Sequence, residues 1–190
     1  SKIKYQISKT QFKNQKFFLY LGNAYPHKNL VRLLEAFSTF CHPDQAKPDS
    51  GSLSNRDSDF RQNDMKLVLV GKEDYFYKRL KEKVKNMGLE KSVLFYGEVN
   101  DKELSDLYKN ASALVMPSLM EGFGLPGLEA MANKCLVLSS DIPSLREVYG
   151  NAAVYLNPYD TKDLVKKMKV ILASDDRDFG VARSSLPGDS

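Results

Sequence analysis

Two acids, Glu121 and Glu129, bracket the glycine-rich stretch EGFGLPGLE. Gly122 and Gly124 can adopt positive φ and let backbone approach a ligand closely. Pro126 suits the first turn of a helix, where its missing N–H costs nothing. A helix is therefore expected to open at Gly124–Pro126, with free N–H groups and a positive dipole end facing the preceding loop, a ready place for a phosphate. Glu121 lies before this helix and Glu129 about one turn inside it, so both acids can face one cleft. One carboxylate can accept hydrogen bonds from sugar hydroxyls, the other from the vicinal hydroxyls of a ribose. A lone acid in a first helical turn is ordinarily a solvated residue that complements the dipole. Two acids, two glycines and a proline packed together after an apolar run ask for more.

Two further loops carry candidates. In Gly22-Asn-Ala-Tyr-Pro-His-Lys28-Asn29, Gly22 ends an apolar run and Lys28 stands next to a helix start. A lysine there opposes the helix dipole, a conflict that a bound anion would remove. The stretch is not a Walker loop, because His27 occupies the place of its second glycine. His27 has no visible acid partner and reads as a loop residue. In Gly97-Glu98-Val99 the backbone can meet a nucleobase edge, or form an ordinary strand-to-helix turn.

Six short apolar runs must position these loops: Phe17–Gly22, Lys66–Gly71, Val93–Gly97, Ala113–Pro117, Leu136–Ser139 and Ala153–Leu156. They alternate little between apolar and polar, which predicts strands buried on both faces. Between them fall helical stripes. Leu30, Leu33, Leu34, Phe37 and Cys41 follow Asn29 as a plausible N-cap. Phe76, Leu80, Val84 and Met87 are stopped by Gly88. Asn100 with Glu103 predicts a capping box before Leu104, Leu107 and Tyr108. Asp160 is expected to cap a last helix carrying Leu164, Val165, Met168, Ile171 and Leu172. Alternating strand and helix predicts an α/β, Rossmann-like three-layer sandwich with a six-stranded, mostly parallel sheet. Ligands in such sheets bind outside the carboxyl ends of the strands, where the three loops lie. Residues 1–16 read as a linker, 17–173 as the domain, 42–64 as a flexible polar insertion and 174–190 as a polar tail.

The 190 residues carry a net charge of +4, with 42% hydrophobic and 27% charged residues, ordinary for a soluble domain and against wholesale disorder. The small positive surplus is spread along the chain and does not argue for nucleic acid. No apolar run reaches the roughly 18–20 residues of a membrane span. Two cysteines and two histidines supply neither a disulfide framework nor a metal-binding spacing. A reduced, cytoplasmic setting is the expectation.

These residues resemble the C-terminal, nucleotide-sugar-binding domain of retaining glycosyltransferases of the GT-B fold, family 4. EGFGLPGLE continuing into Ala130-Met-Ala132 is similar to the family's central motif. The resemblance extends to Phe18–Gly22 with Pro26–Leu30, to Val93–Val99 with Glu103–Tyr108, to Ser140–Val148, and to Gly150–Ala153 with Pro158–Asp160. It implies that Glu121 contacts donor-sugar hydroxyls and Glu129 the ribose. The backbone of Gly122, Phe123, Gly124 and Leu125 would line sugar and diphosphate. Gly22 and Asn23 would lie on the diphosphate side. Lys28 would bind the diphosphate and share the catalytic work with Glu121, and the backbone at Val99 would touch the base. The partner is then a nucleoside-diphosphate sugar, with no cofactor and no metal, because basic side chains and the helix dipole take the metal's place. Where relatives carry arginines this chain has Asn23 and His27, and Asn133–Leu136 replaces a usual Gly-x-Pro. The acceptor-binding N-terminal half of such an enzyme is not in this sequence, so the chain alone is expected to transfer nothing. Any contact with the inner face of a membrane would run through that half.

Two rival readings remain at this point. Gly122-x-Gly124-x-x-Gly127 with Asp141 matches a dinucleotide fingerprint and an NAD-binding oxidoreductase domain. Against it, Ser118–Glu121 separates strand from turn, and the motif follows the fourth strand rather than the first. The other rival is a non-catalytic binding or scaffold module that kept the fold.

Overall fold

The computed structural model describes residues 15–43 and 65–173. Apart from residues 15, 16, 42 and 43, the predicted linker, insertion and tail lie outside the described residues. Six strands form one sheet: β1 (Phe17–Leu21), β2 (Lys66–Val70), β3 (Val93–Gly97), β4 (Ala113–Met116), β5 (Val137–Ser140) and β6 (Val154–Leu156). Every pairing is parallel and the spatial order is β3-β2-β1-β4-β5-β6. The helices are α1 (Leu30–Cys41), α2 (Tyr75–Asn86), α3 (Asp101–Asn110), α4 (Leu125–Ala132), α5 (Pro143–Tyr149) and α6 (Thr161–Ala173). A 3-10 turn, Pro26–Lys28, precedes α1.

The period of two in each strand splits the core into two layers. Phe18 and Tyr20 of β1 with Leu67 and Leu69 of β2 face α1, α2 and α6. Phe17, Leu19, Val68 and Val70 face α3, α4 and α5 on the other side. The central strands β1, β2, β4 and β5 are buried on both faces, as their uninterrupted apolar runs require. β3 and β6 differ from the expectation: only Val93 and Leu156 in them are buried, because both are edge strands with a neighbour on one side only.

Local chemistry sets most helix starts. Asn100 Oδ1 accepts from the Glu103 N–H while Glu103 Oε2 accepts from the Asn100 N–H, each at 3.0 Å, completing the capping box. Asp74 caps α2 by accepting from the Tyr77 N–H at 2.9 Å. Asp160 Oδ1 accepts from the Lys162 N–H at 2.8 Å at the head of α6. Two helix expectations need correction. The buried stripe of α2 is Tyr77, Leu80 and Val84, with Phe76 only partly covered; the Tyr77 hydroxyl reaches the Gly22 and Val70 carbonyls, which satisfies its polar end inside the core. Asn29 does not cap α1. It sits in the left-handed region (φ 59, ψ 30) and makes no side-chain cap.

The strand order reverses between β1 and β4, which places a topological switch point between their carboxyl ends. The loops that leave these two neighbouring strands, residues 22–29 and 117–124, carry most of the candidate residues.

Candidate functional site

The two loops are joined to each other. The Leu119 N–H donates to the His27 carbonyl at 2.7 Å. Asn29 Nδ2 donates to the Pro117 carbonyl at 3.0 Å and to the Pro158 carbonyl at 2.8 Å. Arg32 adds a bond to the same Pro158 carbonyl at 2.7 Å. The side chain that sequence assigns to a helix cap is therefore spent on tying the β1 loop to the β4 loop and to the turn after β6. A left-handed backbone suits this task and is tolerated by asparagine better than by most residues.

Between the loops lies a cavity of about 250 Å³ lined by Tyr20, Gly22, Asn23, Lys28, Met116, Ser118, Glu121, Phe123, Gly124, Leu125 and Pro126 among others. Lys28 Nζ lies 2.7 Å from Glu121 Oε1, with side-chain exposures of 17% and 12%. Ser118 Oγ donates to the same oxygen at 2.7 Å and is itself buried. The Ser144 hydroxyl holds the Glu121 backbone carbonyl at 2.9 Å. Glu121 is thus fixed at both ends, and its Oε2 makes no hydrogen bond among the described residues. Lys28 is the one lysine or arginine among the lining residues. Its charge at the helix start is balanced in this structure by Glu121, a partner the sequence does not reveal across 93 positions.

The hydroxyl of Tyr20 donates to the Asn23 carbonyl at 2.6 Å. Burial, then the neighbouring Tyr77 and Glu121, pushes its pKa far above that of a free phenol, so it stays a neutral donor. Phe123 and Leu125, which line the cavity, are exposed at 59% and 58% and give it an apolar edge.

α4 opens at Gly124–Leu125 as the proline placement predicts, with Gly124 at φ 69. The expectation for Gly122 fails: it does not take positive φ, and a Cβ there would meet nothing within 4 Å. Its conformation is open to other residues. Tyr149 constrains Gly124 and Gly127, since a Cβ on either would overlap its hydroxyl.

Of the predicted site residues, Gly22, Asn23, Lys28, Glu121, Phe123, Gly124 and Leu125 line one cavity, and Gly122 is exposed beside it. Val99 and Glu129 do not line it. Glu129 is exposed and accepts a hydrogen bond from the Tyr108 hydroxyl at 3.1 Å, on the α3 side of α4. Val99 packs partly against the core layer that includes Tyr108. Sequence reasoning missed Ser118, Ser144, Tyr149 and the true role of Asn29. Of these, only Ser118 carried a signal, as a hydroxyl three residues before an acid. Among the described residues no group of three His, Cys, Asp or Glu side chains is placed to hold a metal ion.

Asp141, the acid of the rival dinucleotide reading, receives both arms of the Arg146 guanidinium, at 2.7 and 2.8 Å. This hydrogen-bonded pairing draws its pKa below the usual carboxylate range. Both of its carboxylate oxygens are therefore engaged by Arg146. No helix among the described residues is long and apolar enough to cross a membrane.

The family model of glycosyl transferases group 1 matches residues 2–180. The chain is 35% identical over 169 residues to an O-antigen chain mannosyltransferase of Salmonella typhimurium, covering 87% of this chain and 42% of that protein. It is 31% identical over 178 residues to an O-antigen chain mannosyltransferase of Escherichia coli, covering 93% and 42%. The chain thus spans 42% of the length of these two relatives. Among solved structures, sucrose-phosphate synthase of Thermosynechococcus elongatus aligns with a TM-score of 0.68 at 25% identity, over 90% of this chain and 38% of that one. Anabaena HepE in complex with UDP and glucose aligns with a TM-score of 0.70 at 19% identity, over 92% and 43%, a likeness of fold.

Proposed function

This chain belongs to the glycosyl transferases of group 1, and from that premise we propose that it is the donor-binding domain of a retaining, family 4 enzyme. The donor is a nucleoside-diphosphate hexose. The names of the two O-antigen relatives favour mannose and a role in polysaccharide assembly. The observation that carries the reading is the Lys28–Glu121 pair inside the switch-point cavity, beside the N-terminus of α4.

In the proposed reaction the bond between the sugar C1 and the diphosphate oxygen breaks, and negative charge builds on the departing diphosphate. Lys28 supplies a cation to that charge, and the α4 N-terminus supplies a backbone donor and the positive end of a dipole. Both are in place before the reaction, so little reorganisation is needed when the charge appears. Glu121, held through Oε1 by Ser118 and Lys28, presents Oε2 to hydroxyls of the sugar. The acceptor hydroxyl oxygen then bonds C1 on the face the diphosphate leaves, and its proton passes to the departing diphosphate oxygen. The chemistry asks for no metal at this site. Glu129 and the Val99 backbone, outside the cavity on the α3 side, take the ribose and base in this reading. The chain alone binds donor and transfers nothing, because the acceptor must come from a second domain.

A thermal-shift panel of UDP, GDP, ADP, their sugars and NADH tests this. A shift of several degrees with one nucleoside diphosphate is expected, with none from NADH. The reading fails if NADH alone shifts the transition, or if no nucleoside diphosphate does.

A further inference from the structure

The N-terminal turn of α4 offers fewer free donors than a helix end ordinarily does. Pro126 has no N–H. The Gly127 N–H is already used, donating to the Gly124 carbonyl at 3.0 Å. Leu125 is left as the residue among the first three of α4 whose N–H makes no hydrogen bond among the described residues. Where this one N–H points is set by the peptide between Gly124 and Leu125. A trans peptide is planar, so its N–H and C=O point in opposite directions. Whatever holds the Gly124 carbonyl aims the Leu125 N–H.

Tyr149 holds it. This last residue of α5 is 3% exposed, and its hydroxyl donates to the Gly124 carbonyl and contacts Met116 Sδ of β4 at 3.2 Å. The Gly127 N–H shares this carbonyl but leaves Gly124, a left-handed glycine with soft dihedrals, tied only within its own turn, so Tyr149 is the anchor that ties the peptide to the rest of the core. The two glycines belong to the same device. A Cβ at Gly124 or Gly127 would overlap the hydroxyl, so glycine at both positions is what lets the phenol reach the carbonyl. Burial and then the Glu121 charge keep the phenol protonated, and so a donor, well above neutral pH.

We infer that Tyr149 is a positioning residue: by pulling the Gly124 carbonyl into the core, its hydroxyl turns the Leu125 N–H toward the outer phosphate of a nucleoside diphosphate. The inference rests on the proposed reading of the cavity as a donor site, and Gly124 and Leu125 both line that cavity. It assigns to a residue of α5, 25 positions from Gly124 in sequence, control over one hydrogen bond of the site.

The test compares the wild-type chain with Tyr149→Phe, which keeps the ring and removes only the hydroxyl. Affinities for GDP, GMP, UDP and UMP are measured by calorimetry, with circular dichroism and Tm recorded for each protein. The wild type is expected to bind the diphosphate of its preferred base more tightly than the monophosphate. Tyr149→Phe is expected to weaken the diphosphate by about tenfold, the worth of one well-aimed bond to an anion, while monophosphate affinity stays unchanged. In the wild-type chain labelled with ¹⁵N, the Leu125 amide is expected to move on adding the diphosphate and not the monophosphate, which keeps the idea testable even if the variant folds poorly. An unchanged diphosphate affinity in Tyr149→Phe overturns the inference. So does equal loss of both nucleotides, which marks a merely structural role, and so does a Leu125 amide that ignores the second phosphate. If the wild type binds none of the four nucleotides, the donor-site reading falls first and this inference with it, a result visible before any substitution is made.

Discussion

Removing either member of the Lys28–Glu121 pair should cost the fold more than an exposed ion pair does, and less than a fully buried one. At 2.7 Å the unscreened attraction, with an effective dielectric constant of about 20, comes to about 6 kcal/mol. Desolvation takes back most of it, since both side chains are more than four-fifths covered. Exposed pairs couple by about 0.2–1 kcal/mol, whereas breaking a buried pair costs about 3–5 kcal/mol. Side-chain exposures of 17% and 12% place this pair between the two ranges. We expect Lys28→Met and Glu121→Gln each to cost about 2 kcal/mol, and the double variant to be less destabilised than the sum by about 1–2 kcal/mol.

The single losses correspond to a fall in Tm of about 4–8 °C for a chain of this size. Glu121→Gln should be milder than Glu121→Ala, because the amide can still accept from Ser118. Urea unfolding of the four proteins at low and at high salt measures the cycle. The coupling should survive the salt, since partly buried pairs are little screened. Additivity within about 0.3 kcal/mol, or a coupling abolished by salt, would refute the claim that the pair is a built part of the site.

Two other outcomes follow from the same geometry. Asn29→Ala should lose about 2–3 kcal/mol, two hydrogen bonds plus the strain of a left-handed alanine, and Asn29→Gly should recover about 1 kcal/mol of it, measured as Tm of the three chains. Alkali should destabilise the protein in two stages. Burial pushes the Cys41 thiol up to about 11 and raises the phenols of Tyr20, Tyr77, Tyr108 and Tyr149 well above 10. The unfolded chain therefore sheds these protons first, so stability is full below pH ~9 and falls as pH rises, by about 1.4 kcal/mol per pH unit for each group in its window. Between pH 9 and 10 the slope belongs to Cys41, and Cys41→Ala should flatten that part while leaving the steeper tyrosine loss above pH 10. A stability curve flat to pH 11 would contradict the assignment.

What the sequence showed and what it hid divide along one physical line. Strands, the α1, α3 and α6 stripes and the Asn100–Glu103 box depend on neighbours within a few residues, and each was readable from spacing and residue type. Asn29 was misread because its local options favoured a cap, while its actual partners, the Pro117 and Pro158 carbonyls, lie 88 and 129 positions away. Gly124 was readable as a left-handed residue, but Gly122 was not readable as an ordinary one, because the requirement at Gly124 and Gly127 comes from Tyr149 and not from the loop itself. Likewise β3 and β6 look like inner strands in sequence. Edge position follows from strand order, which no local pattern encodes.

The site itself is a consequence of that order. The paired positions Phe18 of β1 and Ala113 of β4 are 95 apart in sequence, yet the two strands are hydrogen-bonded neighbours in the sheet. Their loops leave in the same direction, side by side, and that adjacency alone brings Lys28 to Glu121. A backbone bond and the Asn29 amide then lock the loops together. The consequence for the proposed donor is two anchors facing one cavity: Lys28 offers its cation to a diphosphate, and Glu121, held through Oε1, offers Oε2 to sugar hydroxyls. A molecule that carries only one of these groups meets only one anchor, so in that reading the intact nucleoside-diphosphate sugar binds more tightly than either of its halves.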